Sequence, residues 1–155
     1  MSRSCDVIQL LTRKGNTLAA AESLTGGGIG AALTAVPGSS AVYKGGVISY
    51  TNEIKRNVLG VRAELLEKYG AVSRWVAGEM VSGVRKLLNA DIAVSVTGLA
   101  GPSGDEFGHP VGTVFIGYED RQRSVVQHYL FEGDRDSVRS QTIEAALELI
   151  LQYNP

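Results

Sequence analysis

The chain has 155 residues, 44% of them hydrophobic and 20% charged, enough for about one domain with a core that needs neither disulfides nor a structural metal. Fifteen Lys and Arg against sixteen Asp and Glu leave a net charge of −1, which supplies no broad basic footprint for a nucleic acid or an anionic membrane. One cysteine, Cys5, excludes a disulfide framework and a cysteine-rich zinc site. No apolar run approaches the ~18–20 residues of a membrane span, and the opening MSRSCDVIQLLTRKG lacks the apolar centre of a signal peptide, so a cytoplasmic location is expected.

Residues 5–13 space their apolar positions as a short helix closed by Lys14 and Gly15. Leu18 to Ala21 reads as a brief buried strand. Gly26-Gly27-Gly28 opens a helix carrying Ile29, Leu33 and Val36 at i, i+4 and i+7, and Pro37-Gly38 stops it. Val47 to Tyr50 is the next strand, and Asn52 is placed to cap a helix ending at Gly60. A short helix closed by Gly70 follows. Ser73 then caps a longer one with Val76, Met80, Val84 and Leu87 on one face. Asp91 to Thr97 is nearly all apolar, as a strand covered on both faces must be. Val111–Tyr118 and Arg123–Phe131, separated by Glu119–Gln122, form an antiparallel hairpin. Asp136 to Tyr153 closes the chain as a helix with Ile143, Leu147 and Ile150 inward. The pattern predicts a single unit over residues 1–155: an α/β fold, a three-layer α/β/α sandwich with a mixed sheet of about five strands.

Three loops leave predicted strand ends, where ligands of open α/β sheets gather. Ala21-Glu22-Ser23-Leu24-Thr25-Gly26-Gly27-Gly28 sits at a strand-to-helix junction, where free helix amides can form an oxyanion hole or a phosphate cradle. The same residues equally fit a capping serine followed by glycines that allow close packing. Neither the GxxxxGK[ST] nor the GxGxxG pattern is present. Tyr50-Thr51-Asn52-Glu53-Ile54-Lys55 brings a tyrosine and a lysine to a second junction. A serine nucleophile needs a base, and a lysine of lowered pKa can be one. The plain alternative is a solvated helix lysine and a core tyrosine. Neither His109 nor His128 has a persuasive catalytic context. Thr97-Gly98-Leu99-Ala100-Gly101-Pro102-Ser103-Gly104-Asp105 is the third loop, either a pocket wall or merely a tight connection. Scattered carboxylates, and the lack of HExxH or CxxC spacing, predict no metal site and no cofactor.

Six segments in register carry a resemblance: AESLTGG, VPGSSAVYKGGVISYTNEIKRNVLGV, YGAVS, DIAVSVTGLAGPSG, PVGTVFIG and FEGDRDSVRSQTIEAAL. From about Leu18 to Leu151 the chain resembles the C-terminal domain of the CinA family, also found as a stand-alone nicotinamide-nucleotide amidohydrolase. The resemblance implies an α/β/α sandwich that hydrolyses the carboxamide of nicotinamide mononucleotide, giving nicotinate mononucleotide and ammonia without a metal. It puts the nucleophile on Ser23, the tyrosine and lysine on Tyr50 and Lys55, the threonine ending the central strand on Thr97, and the late arginine on Arg139. The amides around Thr25, Gly26 and Gly27 are then the expected oxyanion donors, with Gly98 and Gly101 in the substrate loop. The chain departs from the family in two places. Leu24 replaces the cysteine of ESCTGG, and in the loop that usually carries a glycine pair and then a lysine, Gly104 is followed by Asp105 and His109 precedes Pro110. A small nucleotide is thus the expected partner, with no nucleic acid and no membrane. A homo-oligomer is also expected, from the exposed hairpin. Competing readings are a catalytically silent nucleotide-binding or regulatory module and a structural partner domain.

Overall fold

The computed structural model describes residues 2–155. A five-stranded mixed sheet runs in the order β2-β1-β3-β4-β5, with β1 at Leu18–Glu22, β2 at Tyr43–Ile48, β3 at Ile92–Gly98, β4 at Thr113–Glu119 and β5 at Ser124–Leu130. Strands β2, β1 and β3 are parallel, while β4 and β5 are antiparallel additions. Helices α1 (Arg3–Lys14), α2 (Gly28–Thr34) and α6 (Arg135–Tyr153) cover one face. On the other lie α3 (Asn52–Asn57), α4 (Ala63–Tyr69) and α5 (Arg74–Leu87). This is the expected three-layer α/β sandwich.

Local chemistry explains the element ends. Ser2 accepts from the Cys5 amide to start α1, and Gly15 ends it in the left-handed conformation that glycine adopts without a Cβ clash. Ser73 caps α5 through the Val76 amide. Strand β1 and all of β3 but Gly98 are buried, with sheet neighbours on both edges and helices on both faces, which is why their sequences show no alternation. Alanines 19 to 21 keep β1 thin enough for α2 and α5 to approach from opposite sides.

Three local expectations are corrected. The second strand spans Tyr43–Ile48 rather than 47–50, because the pairing with β1 extends through Gly45 and Gly46. Glycine is depleted in strands generally, so the pair hides the element in the sequence. Thr51, not Asn52, caps α3, with its hydroxyl accepting from the Ile54 amide. Leu87 is exposed, since the buried stripe of α5 is Val76, Ala77, Met80, Val81 and Val84, and the helix turns Leu87 off it in the last turn.

Gly83 is the tightest contact of α5 with the segment following α3. A Cβ there would overlap the carbonyl oxygen of Leu59, which is backbone and cannot swing away. Gly83→Ala should therefore destabilise the fold by about 1–3 kcal/mol, although alanine is worth ~1 kcal/mol more than glycine in an open helix. A lowered urea midpoint with an unchanged m-value checks this; a raised midpoint would mean that the backbone is free to part.

Candidate active site

The parallel strands β1 and β2 and the central strand β3 all deliver their carboxyl ends to one cavity of about 620 Å³, within the ~300–1,000 Å³ of small-molecule sites. Its lining includes Ser23 and Leu24 after β1, Tyr50 after β2, Lys55 on α3, Thr97 to Asp105 after β3, Phe107, and Arg135 at the start of α6. Chemistry-bearing groups far apart in sequence thus meet because the strands share direction.

At the floor, Lys55 Nζ donates to Ser23 Oγ at 2.9 Å and to the Ser49 carbonyl at 2.7 Å. Lys55 is only 1% exposed and Ser23 8%. Burial disfavours the ammonium and lowers its pKa from 10.5 to about 8. The lysine is reachable because Thr51 opens α3 one turn earlier, so the side chain at position 55 points back over the strand end. Ser49 in turn is pinned, its amide and hydroxyl both donating to the Glu22 carbonyl at 2.7 and 3.1 Å.

The turn after Ser23 is held differently from the sequence expectation of free helix amides. Glu22, buried at the end of β1, accepts from the Thr25 hydroxyl at 2.6 Å, the Ile29 amide at 2.9 Å and the Gly30 amide at 3.1 Å. The Gly26 and Gly28 amides are spent on the carbonyls of Ser23 and Thr25. The helix start is therefore capped internally by a carboxylate, which its partial positive charge favours. Gly26 and Gly27 have φ of +58° and +102°, values that make the tight turn a glycine turn. From α6, Arg139 donates to the carbonyls of Leu24 and Thr25 at 2.9 and 3.2 Å. Thr25, Gly26, Gly27 and Arg139 fix the turn that presents Ser23, and they do not line the cavity.

The other expected residues divide as follows. Tyr50 lies at the cavity mouth, 58% exposed, and its hydroxyl accepts from Arg135 at 3.1 Å. Thr97 lines the wall, but its hydroxyl donates to the Ala71 carbonyl at 2.8 Å. Gly98 and Gly101 also line the cavity, where backbone of β4 and the side chain of Val111 leave no room for a Cβ. Arg135 escaped the sequence reading although it lies one helical turn before Arg139; it also donates to the Gly101 carbonyl at 2.6 Å. Glu22 and Ser49 escaped as well. The signal for Glu22 was its position immediately before the serine at a buried strand end.

The two departures from the family pattern have structural consequences. Leu24 is buried and contributes an apolar wall beside the nucleophile. Asp105 spends its carboxylate inside its own loop, accepting the amides of Phe107 and His109 at 3.1 and 3.0 Å and facing His109 Nδ1 at 2.7 Å. That closes a turn which lays Phe107 against Gly70, where any Cβ would overlap the ring. His128 is elsewhere, stacked on Phe115 of the hairpin.

Among the described residues no group of His, Cys, Asp and Glu is placed to hold a metal ion, and no helix is long and apolar enough to cross a membrane. The profile of the CinA C-terminal domain matches residues 2–154. A CinA-like protein of Thermotoga neapolitana is 47% identical over 147 residues, 95% of this chain and 36% of that protein. A CinA-like protein of Thermotoga maritima is 45% identical over the same shares. The chain thus spans little more than a third of the curated relatives it matches. Among solved structures, a competence or damage-inducible protein from Enterobacter asburiae superposes with a TM-score of 0.96 at 33% identity, covering 99% of this chain and 96% of that one. One from Agrobacterium tumefaciens gives 0.92 at 39% identity, covering 99% and 94%.

Two outcomes follow from the buried groups. Replacing Glu22 with alanine strands the Ile29 and Gly30 amides and should cost at least ~1.5–3 kcal/mol, the range for a hydrogen bond to a charged group, read as a lower thermal midpoint. For Lys55, the folded pKa of about 8 lies below the unfolded value of 10.5. Between those pH values the unfolded chain holds more protons, so stability rises with pH. Urea titrations should show that rise in the wild type and not in Lys55→Met; parallel curves would mean that Lys55 titrates normally.

Proposed function

The chain belongs to the CinA C-terminal domain family, and we propose that it is a serine amidohydrolase that removes the amide nitrogen of nicotinamide mononucleotide. The observation that carries the reading is the 2.9 Å contact between Lys55 Nζ and Ser23 Oγ in a buried setting that lowers the lysine pKa to about 8. A purely structural lysine would be better served by a carboxylate than by one hydroxyl and one backbone carbonyl, which leave its ammonium without a counter-charge. A general base gains a pKa close to neutrality.

The neutral Lys55 amine takes the Ser23 proton while one of its own N–H bonds stays on the Ser49 carbonyl, which fixes its lone pair on the hydroxyl. Ser23 Oγ attacks the carboxamide carbon, and the carbonyl oxygen takes up the negative charge. With the Gly26 amide already engaged by Ser23, the backbone N–H of Leu24 is the nearest oxyanion donor by position, following the nucleophile directly. Such a donor is typically worth ~2.7–4 kcal/mol. The lysine ammonium passes its proton to the departing nitrogen, ammonia leaves, and an ester on Ser23 remains. Water, deprotonated by Lys55, cleaves that ester to release the carboxylate and restore the serine. Leu24, Leu66 and Phe107 supply apolar lining suited to a flat pyridine ring. Arg135, held by Gly101 and Tyr50, is the cationic lining residue left to meet a phosphate. Tyr50 thereby acts through Arg135, ordering the mouth rather than moving the serine proton.

Ammonia release from nicotinamide mononucleotide is the decisive measurement. Turnover that is abolished by Ser23→Ala and reduced ~10²–10⁴-fold by Lys55→Met, the usual worth of a general base, supports the reading. The wild-type kcat/KM should rise with pH through about 8, and that limb should be missing in Lys55→Met. Tight binding without turnover in the wild type points instead to a nucleotide-binding module, and neither binding nor turnover to a structural domain.

A further inference from the structure

Phe107 is 40% exposed, yet its position is fixed from two sides. Within its own loop, Asp105 accepts the Phe107 amide at 3.1 Å and the His109 amide at 3.0 Å, and its second oxygen faces His109 Nδ1 at 2.7 Å. From the end of α4, Gly70 is the seat. A Cβ there would come within 2.6 Å of Cδ2 and Cε2 of the Phe107 ring, and the φ of +79° independently calls for glycine. The seat is itself tied down. The Gly70 amide donates to the Leu66 carbonyl at 3.0 Å, and the Gly70 carbonyl accepts from the Ser73 hydroxyl at 3.1 Å. The next carbonyl, of Ala71, accepts from the Thr97 hydroxyl of β3 at 2.8 Å.

A ring held this firmly but left partly open forgoes some of the gain of burying it, a gain recovered when a ligand covers it. The charges around the cavity say which ligand. Asp105 and Glu106 line it beside Phe107, whereas the cationic lining residue Arg135 comes from α6, in the layer on the other face of the sheet. Carboxylates and an aromatic face thus stand at the α4 wall, and a guanidinium stands on the α6 side. A pyridine nucleotide has the matching polarity, because glycosylation of the ring nitrogen makes the ring a cation while the phosphate is an anion. The negative face of an aromatic ring attracts a cation laid over it, and an uncharged ring lacks that attraction.

We propose that Phe107 is the specificity-determining residue for a positively charged heteroaromatic ring, which it takes face to face while Gly70 and the Asp105–His109 turn hold it in place. The inference rests on the amidohydrolase reading for the identity of the substrate, and adds the charge of the ring as the property recognised. Phe107 binds the ring without touching the serine or the lysine; Asp105, His109 and Gly70 act through it as positioning residues. The acidic residues of this loop then sit with the cationic ring, and the phosphate is left to Arg135.

Titration calorimetry on the Ser23→Ala protein, which leaves its ligand unconsumed, tests it with two probes. One is nicotinamide mononucleotide; the other is its 1,4-dihydro form, with the same carboxamide, ribose and phosphate but an uncharged ring. The cationic form should bind more tightly. Phe107→Leu in the same background should lower that preference by about 2- to 30-fold, the range for a cation over an aromatic face, and Phe107→Tyr should restore it. Asp105→Ala, which unties the turn, should reproduce part of the loss and add nothing when combined with Phe107→Leu. With Ser23 present, Phe107→Leu should raise KM at unchanged kcat. An unchanged preference in Phe107→Leu, or a loss confined to kcat, overturns the proposal while turnover of the Ser23 protein keeps the amidohydrolase reading. Preferential binding of the cationic form with no ammonia released by the Ser23 protein removes that reading and leaves the ring seat standing; binding of neither probe overturns both.

Discussion

Everything at the cavity depends on one buried amine. Taking an ammonium out of water costs several kcal/mol unless partners replace the lost hydration. Lys55 has two: a serine hydroxyl and a backbone carbonyl. Both are neutral, so the cost is only partly offset, and what remains appears as a lowered pKa. A carboxylate in place of either partner would have stabilised the ammonium and removed its basicity. The absence of an acidic neighbour at that contact is thus as much part of the site as the lysine itself.

The surrounding charges are disposed to keep it so. Glu22 is adjacent to Ser23 in the chain, yet its carboxylate turns to the start of α2, where three donors and the helix dipole hold it. Asp105 is likewise satisfied within its own turn by two amides and His109. Arg139 grips the carbonyls of the turn from behind, and Arg135 grips the loop after β3 and the Tyr50 hydroxyl. Helix α6 therefore reaches all three strand-end loops through two arginines one turn apart. The nucleophile turn, the tyrosine and the glycine loop are tied to the same rigid element.

The sequence by itself determined the order and type of the elements, because apolar spacing, caps and glycine stops are local signals. Ser73, Gly15 and Gly70 mark their helices, and DIAVSVT announces a strand covered on both faces. It also brought Ser23 and Lys55 forward as a pair, though only as one alternative until the family resemblance was added. What it left open was decided by pairing and direction in space. Gly45 and Gly46 belong to a strand because β1 lies alongside. Gly26 and Gly27 shape the turn that presents Ser23, with the Gly26 amide on the Ser23 carbonyl and Glu22 holding the Ile29 and Gly30 amides further along. Arg135 rather than Arg139 enters the cavity, because one helical turn separates a side chain at the mouth from one behind the nucleophile turn. A lysine 32 residues from a serine becomes its hydrogen-bond partner only when two parallel strands set their carboxyl ends side by side, a long-range constraint that no local pattern encodes.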